Sequence, residues 1–345
     1  MHRRLLVLQF ILLFITGQGM AQDILAVSSP AAQKQLENIR QLQASGQFSQ
    51  AEASTLLLLE RARSDNAPLD IAAAFHELGH IAFSQNKYDL AYGAFKNAQE
   101  IFTRQEQLPQ LAEILADIGN TYRAQTNYSQ SLEYLYRSLT LFQSLGIDSG
   151  VAEQNLNIGV VLKMLGQYEQ ALSALQSALV SLRVQANLAD VAQCLSHIGE
   201  IYLNMDQAEQ AEFYLQDALQ INQQLKLKEK IAASHNLLGE LYLKEDNYQK
   251  ARHHLNLAIS IFSELDAPAS HDWALTSLGQ VELASGNFLE GLQYLNAALL
   301  RASQGEYGAL VSKIYLALAQ AFYNKEDYQA ALTHANKGIT ATITR

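Results

Sequence analysis

Residues 115–139 read LADIGNTYRAQTNYSQSLEYLYRSL, and this stretch decides the fold. Leu115, Ile118, Gly119 and Tyr122 follow the spacing i, i+3, i+4, i+7, which places them on one face of an α-helix. A second apolar face of the same kind follows in Leu132, Leu135 and Leu139. The stretch therefore predicts two amphipathic helices joined by a tight turn.

This helix pair recurs with a period of 40 residues. Glycine holds one helix position in six successive units: Gly79, Gly119, Gly159, Gly199, Gly239 and Gly279, with Ala319 in the next. A turn column holds residues that mostly tolerate unusual backbone angles: Gly46, Asn86, Thr126, Gly166, Asp206, Asp246, Gly286 and Glu326. We expect the helix glycine to let the two helices of a unit approach closely. The period predicts an all-α fold from about residue 30 to 345, a solenoid of about eight antiparallel helix pairs.

The prolines obey the same period. Pro30, Pro68, Pro109 and Pro268 fall in one three-residue slot of the cycle. Each is expected just inside the first helix of its unit, where the missing N–H removes no hydrogen bond.

Two short patterns in these units resemble the tetratricopeptide repeat. The first is Ile118-Gly119-Tyr122, repeated at Ile198-Gly199-Tyr202, and the second is Ala171-Leu175-Ala178. The usual repeat has about 34 residues, whereas this period of 40 is similar to the long-helix variety of kinesin light chains and bacterial peptide-sensing receptors. The resemblance implies a right-handed superhelical solenoid. It also implies that the first helices of the units line a concave groove, which holds an extended peptide or a segment of a partner protein.

The net charge of the chain bears on its partners, and the N-terminal segment bears on its location. The net charge of −10 argues against a nucleic-acid or anionic-membrane partner, since phosphate attraction needs a basic face. Residues 1–21, MHRRLLVLQFILLFITGQGMA, have the basic start, short apolar run and small-residue end of a signal peptide. We expect a chain exported after cleavage at Ala21, periplasmic in a Gram-negative bacterium and otherwise secreted. No later segment is apolar enough to predict membrane insertion of the mature chain.

The most specific catalytic pattern is His76-Glu77-Leu78-Gly79-His80, which satisfies H-E-x-x-H. In zinc peptidases this pattern supplies two metal ligands and a general base. Leu78 and Gly79 are already explained by the repeat, and no strand that would support such a helix is predicted. The matching side of the next unit carries Glu113, Asp117 and Asn120, which could complete a metal site. We nevertheless expect no catalytic residue, metal or cofactor, and interpret the histidines as polar groove residues.

The repeat positions near those of His76 and His80, taken in successive units, predict a partner-binding surface on the first helices. Its candidate residues are His76, His80, Asp117, Asn120, Arg123, Asn157, Lys163, His197 and Glu200. Arg123 and Lys163 occupy one column in adjacent units and could pair with a ligand carboxylate. By the resemblance, Asn157 would hold a bound peptide backbone through its amide. His253 and His254, on a second helix, are expected on a solvated outer surface.

Three functions remain open at this point. The leading hypothesis is a non-enzymatic exported scaffold that binds a protein or peptide in its groove. A second is the sensory domain of a truncated or split membrane receptor, such as a histidine kinase or diguanylate cyclase, and a third is a zinc metallopeptidase. Residues 338–345 are poor helix formers and no capping helix follows. The last unit is therefore expected to fray or to contact a partner, including a second copy of the chain.

Overall fold

The computed structural model describes residues 29–305 and 307–343, and all regular secondary structure in these ranges is α-helical. Sixteen helices in this part of the chain form eight antiparallel pairs, and we call the first helix of each pair an A helix and the second a B helix. The A helices are Pro30–Ala44 (α1), Pro68–Ser84 (α3), Leu108–Ala124 (α5), Asp148–Met164 (α7), Leu188–Asn204 (α9), Lys228–Lys244 (α11), Pro268–Ala284 (α13) and Gly308–Asn324 (α15). The B helices are Phe48–Ser64 (α2), Tyr88–Arg104 (α4), Tyr128–Leu145 (α6), Tyr168–Val184 (α8), Ala208–Gln224 (α10), Tyr248–Glu264 (α12), Phe288–Gln304 (α14) and Tyr328–Ile343 (α16). The predicted all-α fold of paired helices is confirmed.

One turn geometry joins these helices. Each described turn has a residue with positive φ, and this residue recurs every 20 positions, from Gly46 (φ 74°) to Glu326 (φ 63°). The N–H of the residue after it donates to a carbonyl five residues back, as from Asn127 to Tyr122 (2.8 Å). This bond satisfies a carbonyl that the end of a helix leaves free. The column predicted within each pair thus extends to the turns between pairs, where Glu106 (φ 54°) and Lys226 (φ 57°) adopt the same conformation.

The helix glycines let the A and B helices of a pair approach closely, as expected. A Cβ added at Gly119 would stand 2.8 Å from Leu135 Cγ and 3.2 Å from the carbonyl oxygen of Ser131. At Gly239 the same atom would stand 2.5 Å from Leu255 Cγ. The prolines also lie where expected, at the first or second position of their A helices.

The helix pairs divide into two compact units, one ending at Asn187 and the other beginning at Leu188. In each unit an A helix packs against its own B helix, and neighbouring A helices also contact one another, as α5 and α7 do. The cores are aliphatic and aromatic, with Phe95 and Phe102 fully buried in the first unit and Leu255 and Leu295 in the second. The polar side chains of the A helices are therefore held on a frame of packed helices.

The C-terminal helix extends to the last residue that the structure describes. Helix α16 continues through Gly338 to Ile343, although fraying was one expected outcome. The Ser312 hydroxyl on α15 donates to the Gly338 carbonyl (3.0 Å), which ties this glycine to the neighbouring helix. Residues 1–21, the predicted signal peptide, lie outside the described residues. Within those residues, every helix falls short of the length or hydrophobicity needed to cross a bilayer.

Candidate functional site

Three predicted site residues from neighbouring A helices meet at one point. His76 and His80 lie one turn apart on α3, and Asp117 reaches them from α5. His76 Nε2 stands 2.7 Å from Asp117 Oδ2 and 2.9 Å from His80 Nε2, and His80 Nε2 is 3.5 Å from the same carboxylate oxygen. We call these residues the His76 cluster. The sequence placed them on one surface, and the structure brings them into contact.

Burial makes the charges of this cluster interdependent. The His76 side chain is 8% exposed, Asp117 21% and His80 38%. Burial opposes a positive charge on His76, but the hydrogen bond and charge of Asp117 outweigh burial and raise its pKa. Burial lowers the pKa of His80, because the attraction of Asp117 for a proton offsets it only in part. Burial would raise the pKa of Asp117, but the two histidines outweigh it and lower that pKa. The cluster thus favours an ion pair between His76 and Asp117 beside a neutral His80.

Aromatic packing fixes the histidine rings from the other side. The Phe95 ring of α4 lies edge-on to His76 and His80, with ring centroids 5.9 and 5.3 Å apart. His76 is consequently a buried residue, whereas the sequence placed it on an open groove. Its second ring nitrogen, Nδ1, is buried and has no hydrogen-bond partner.

Glu77, the residue that would act as general base in a zinc peptidase, points to the preceding repeat. Arg40 Nε donates to its Oε1 (2.9 Å), and Gln43 Nε2 donates to its Oε2 (2.8 Å). Its side chain is 3% exposed, so both carboxylate oxygens are engaged in a buried contact with α1. A general base needs an oxygen that can accept a proton from water or substrate. This geometry favours a structural role for Glu77.

Arg123 is a half-buried cation near the C-terminal end of α5. Its Nη2 donates weakly to Asn120 Oδ1 (3.4 Å), and its buried Nε has no hydrogen-bond partner. Burial lowers the pKa of Arg123, and Tyr128 opposes this only in part. A guanidinium with an unused buried N–H donor is suited to bind an anionic group of a ligand.

The remaining predicted residues divide between the two units. Asn157 and Lys163 are half-buried on α7 in the first unit. His197 and Glu200 are half-buried on α9 in the second unit, where His197 Nδ1 lies 3.6 Å from Glu200 Oε2.

The A helices of the second unit carry a polar cluster of their own. Lys313 Nζ on α15 donates to Glu240 Oε1 on α11 (2.9 Å), and Ser277 Oγ on the intervening α13 donates to the same oxygen (2.8 Å). Lys313 Nζ also lies 4.6 Å from the ring centroid of Trp273. This ion pair joins α11 to α15 across the intervening A helix, α13. Such a contact requires the A helices to converge here, and this convergence is expected on the inner side of a stacked repeat.

Sequence reasoning missed a second histidine pair. His235 Nδ1 on α11 lies 2.9 Å from His254 Nδ1 on α12, so His254 is half-buried and the expected outer surface holds only for His253. The signal was present in the adjacency of an A-helix and a B-helix histidine 19 residues apart, which the groove columns did not include. A pocket of about 450 Å³ lies elsewhere, and none of the predicted site residues lines it. The residues that line this pocket are Leu111, Leu115, Tyr136, Arg137, Thr140 and Leu141.

Solved structures of similar fold share little sequence identity with the chain. A Rap protein complexed with competence and sporulation factor has a TM-score of 0.68 at 19% identity, covering 90% of this chain and 97% of that one. The apo quorum sensor NprR from B. thuringiensis has a TM-score of 0.67 at 18% identity, covering 90% and 87%. The Rap conjugation gene regulator of plasmid pLS20, in complex with the Phr* peptide, has a TM-score of 0.66 at 15% identity, covering 82% and 76%. No curated protein matches the sequence.

Family models give the most direct comparison. Models described as Tetratricopeptide repeat match residues 70–144, 118–183, 151–224 and 190–264, and another of the same description matches 276–343. Together these matches cover well over half of the chain. The chain therefore belongs to the tetratricopeptide repeat family.

Proposed function

We propose that the chain is an exported, non-enzymatic scaffold of the long, 40-residue repeat variety, and that its A helices bind a peptide or a segment of a partner protein. The first unit would supply the ligand-reading residues, because Asn120, Arg123, Asn157 and Lys163 lie there on successive A helices. Recognition would rest on many weak contacts along an extended segment rather than on covalent chemistry.

The observation that carries this proposal is the state of Arg123. Desolvation costs a buried guanidinium free energy unless an anion or several acceptors compensate it. The compensation for Arg123 is a 3.4 Å contact of Nη2 with Asn120 Oδ1, and its buried Nε has no hydrogen-bond partner. A carboxylate of a bound peptide would accept two parallel hydrogen bonds from the guanidinium.

The comparisons support this proposal at the level of fold. Two of the structures with similar folds are complexes, one with competence and sporulation factor and one with the Phr* peptide. Their arrangement of helix pairs therefore accommodates such ligands, and we infer the same use for this chain.

A peptide-display selection on the full chain tests the proposal. Selected peptides would be measured by fluorescence anisotropy against the wild type and the double variant Arg123→Glu/Lys163→Glu. We expect the double variant to weaken binding by at least about 10-fold, since a hydrogen bond to a charged group contributes about 1.5–3 kcal/mol. Amidation of the peptide carboxylates should weaken binding to the wild type but not to the variant.

A matched control reverses two charges on B helices instead. Arg137 on α6 and Arg183 on α8 are exposed, so Arg137→Glu/Arg183→Glu makes the same change in net charge away from the A helices. Binding that survives the A-helix reversal, or that falls equally in both double variants, would place recognition elsewhere.

The absence of peptidase activity has its own test. Any hydrolysis of a peptide library by the purified chain should persist unchanged in Glu77→Gln and in chelator, as expected of a contaminant. Hydrolysis that Glu77→Gln abolishes would contradict the scaffold proposal.

Export is tested by fractionation and N-terminal sequencing. Produced in a Gram-negative host, the chain should reach the periplasm and begin at Gln22, with a net charge of −12 after loss of Arg3 and Arg4 (24 − 2 = 22 basic against 34 acidic). A cytoplasmic chain that retains Arg3 and Arg4 would disprove export.

A sensory role is the second proposal, supported by the likeness of the fold to the quorum sensor NprR. It uses the same A-helix surface but requires an output partner. A histidine kinase or diguanylate cyclase encoded beside this chain, with an activity that a selected peptide alters only when the chain is present, would favour it over a passive scaffold.

We further propose that the last repeat contacts a partner, including a second copy of the chain. Leu316 on α15 is 54% exposed, and Leu332 and Ile339, two turns apart on α16, are 58% and 55% exposed. Light scattering of the wild type and of Leu332→Glu/Ile339→Glu tests the second-copy form: a wild-type dimer should become monomeric in the variant.

A further inference from the structure

We propose that the His76 cluster binds one divalent transition-metal ion of the zinc class, through His76 Nε2, His80 Nε2 and Asp117 Oδ2. This site is independent of the peptide-binding proposal. Among the described residues, the cluster is the one group of three or more histidine, cysteine or acidic side chains whose ligand atoms lie close enough to share an ion.

The donor set is that of a transition-metal site. Two imidazole nitrogens and one carboxylate oxygen suit zinc, cobalt, nickel and iron, whereas magnesium and calcium prefer oxygen ligands. Asp117 supplies a negative charge, and the charge of Glu113, one turn earlier on α5, also acts on His76. Two imidazoles and a carboxylate leave further coordination positions for water or for a ligand atom.

The distances match those between ligands of one ion. The three atoms are separated by 2.7, 2.9 and 3.5 Å. Atoms about 2.1 Å from a common ion lie roughly 3.0 Å apart at right angles and roughly 3.4 Å apart at tetrahedral angles. Small rotations of the three side chains would therefore place them around a single ion.

The position of the cluster gives the ion a role and a route of entry. The ligands come from α3 and α5, so the ion would link the A helices of two successive repeats. His80 is the most exposed of the three side chains and marks the side from which the ion enters. The linkage would stabilise the folded chain by an amount that grows with the logarithm of the ion concentration above the dissociation constant, since the unfolded chain does not hold the three ligands together.

The affinity should be moderate. Metal-binding histidines usually donate their other ring N–H to a carboxylate or carbonyl, and loss of that bond weakens binding by about 10–100-fold. His76 Nδ1 has no such partner. We therefore expect dissociation constants for Zn²⁺ in the micromolar range.

The second histidine pair provides a matched control. His235 and His254 also place two ring nitrogens 2.9 Å apart, but no carboxylate oxygen joins them in a three-ligand group within the described residues. If a histidine pair alone were sufficient, both pairs would bind.

The test is zinc titration of the full chain, produced without a histidine tag and treated with EDTA. Calorimetry should give one Zn²⁺ per chain, cobalt should bind with a visible absorption band that zinc removes, and zinc should raise the melting temperature. His80→Ala and Asp117→Asn should each weaken zinc binding by at least about 10-fold, because each removes a ligand itself rather than its support.

Two variants and the control make the outcome decisive. His80 is partly exposed, so His80→Ala should fold even if Asp117→Asn does not, and circular dichroism checks both. His235→Gln/His254→Gln should bind zinc as the wild type does. No binding below 100 μM Zn²⁺ would overturn the proposal, as would unchanged binding in folded His80→Ala, or binding lost only in the His235→Gln/His254→Gln control.

Discussion

The backbone of Gly79 lies directly against the ring of Phe95, so that a Cβ on residue 79 would stand 2.3 Å from Phe95 Cε1. Phe95 is 1% exposed and is enclosed by the core of its unit. The ring therefore has little space into which it could move, and the glycine is required by packing rather than by backbone angle.

Gly79→Ala should lower the free energy of unfolding by about 1–3 kcal/mol, the usual cost of overpacking a core. Gly93→Ala is the matched control, because Gly93 is an exposed helical glycine of α4 with nothing within 4 Å of its added Cβ. That control should raise the free energy by about 0.5–1 kcal/mol through helix propensity. Urea denaturation measures both, and equal effects of the two substitutions would show that packing does not explain the glycine column.

Replacing a β-branched residue in the left-handed turn conformation by glycine should increase the stability of the fold. Thr126 has φ 60°, whereas Gly166 holds the same place in the next repeat with φ 72° and nothing within 4 Å of its Cβ position. Thr126→Gly should therefore stabilise the fold and Gly166→Ala destabilise it, each by about 1 kcal/mol. Thermal unfolding of the two variants checks the opposite signs, and shifts of the same sign would contradict this account.

Asp272 is a fully buried carboxylate whose Oδ1 accepts a hydrogen bond from Arg301 Nε (2.7 Å) and lies in an ion pair 2.5 Å from Arg301 Nη2. Arg301→Met leaves that charge with only His271 Nδ1, 3.2 Å away. We expect a loss of about 3 kcal/mol in the free energy of unfolding, the lower end for breaking a buried ion pair.

The double variant Asp272→Leu/Arg301→Met should recover most of that loss, since it removes the uncompensated charge as well. Denaturant unfolding of the single and double variants gives the comparison. A single variant as stable as the wild type would mean that His271 alone satisfies the carboxylate.

The pair of His235 and His254 should make the second unit sensitive to acid. Burial, followed by the charges of His235, His253 and Lys250, lowers the pKa of His254 to about 4, and Glu212 opposes this only in part. An unfolded histidine takes up its proton near pH 6.5. The unfolded chain thus binds more protons between pH 6.5 and about 4, so the free energy of unfolding falls as the pH is lowered through this window.

Burial lowers the pKa of His235 as well, so its contribution has the same sign. Denaturant unfolding in EDTA, from pH 7 to 4, should show a smaller loss of stability in His254→Gln than in the wild type. A wild-type slope in that variant would contradict the assignment.

The fold was predictable because its determinants recur. In six of the eight A helices a glycine contacts a large residue 16 positions later, as Gly239 contacts Leu255, so the same packing contact recurs in six units. The turns between pairs were not predicted, because Glu106 and Lys226 adopt positive φ with no sequence preference for it. There the Schellman hydrogen bonds and the packing of the flanking helices override the local preference of the residue.

The candidate site was predictable only in part. The i, i+4 spacing of His76 and His80 follows from the helix, and the repeat places Asp117 one unit later on a matching side. That His76 is buried beneath Phe95, and that Glu77 is bound by Arg40, depends on contacts 19 and 37 residues away that no local pattern encodes.

The shared turn geometry makes the chain divisible at equivalent points. Thr126 and Gly166 have the same backbone conformation, so excision of residues 127–166 would join the end of α5 to the start of α8 through an unchanged junction. Duplication of the same stretch would insert a complete module with matching ends. The array can therefore gain or lose whole modules through recombination, because each new junction keeps an existing turn conformation.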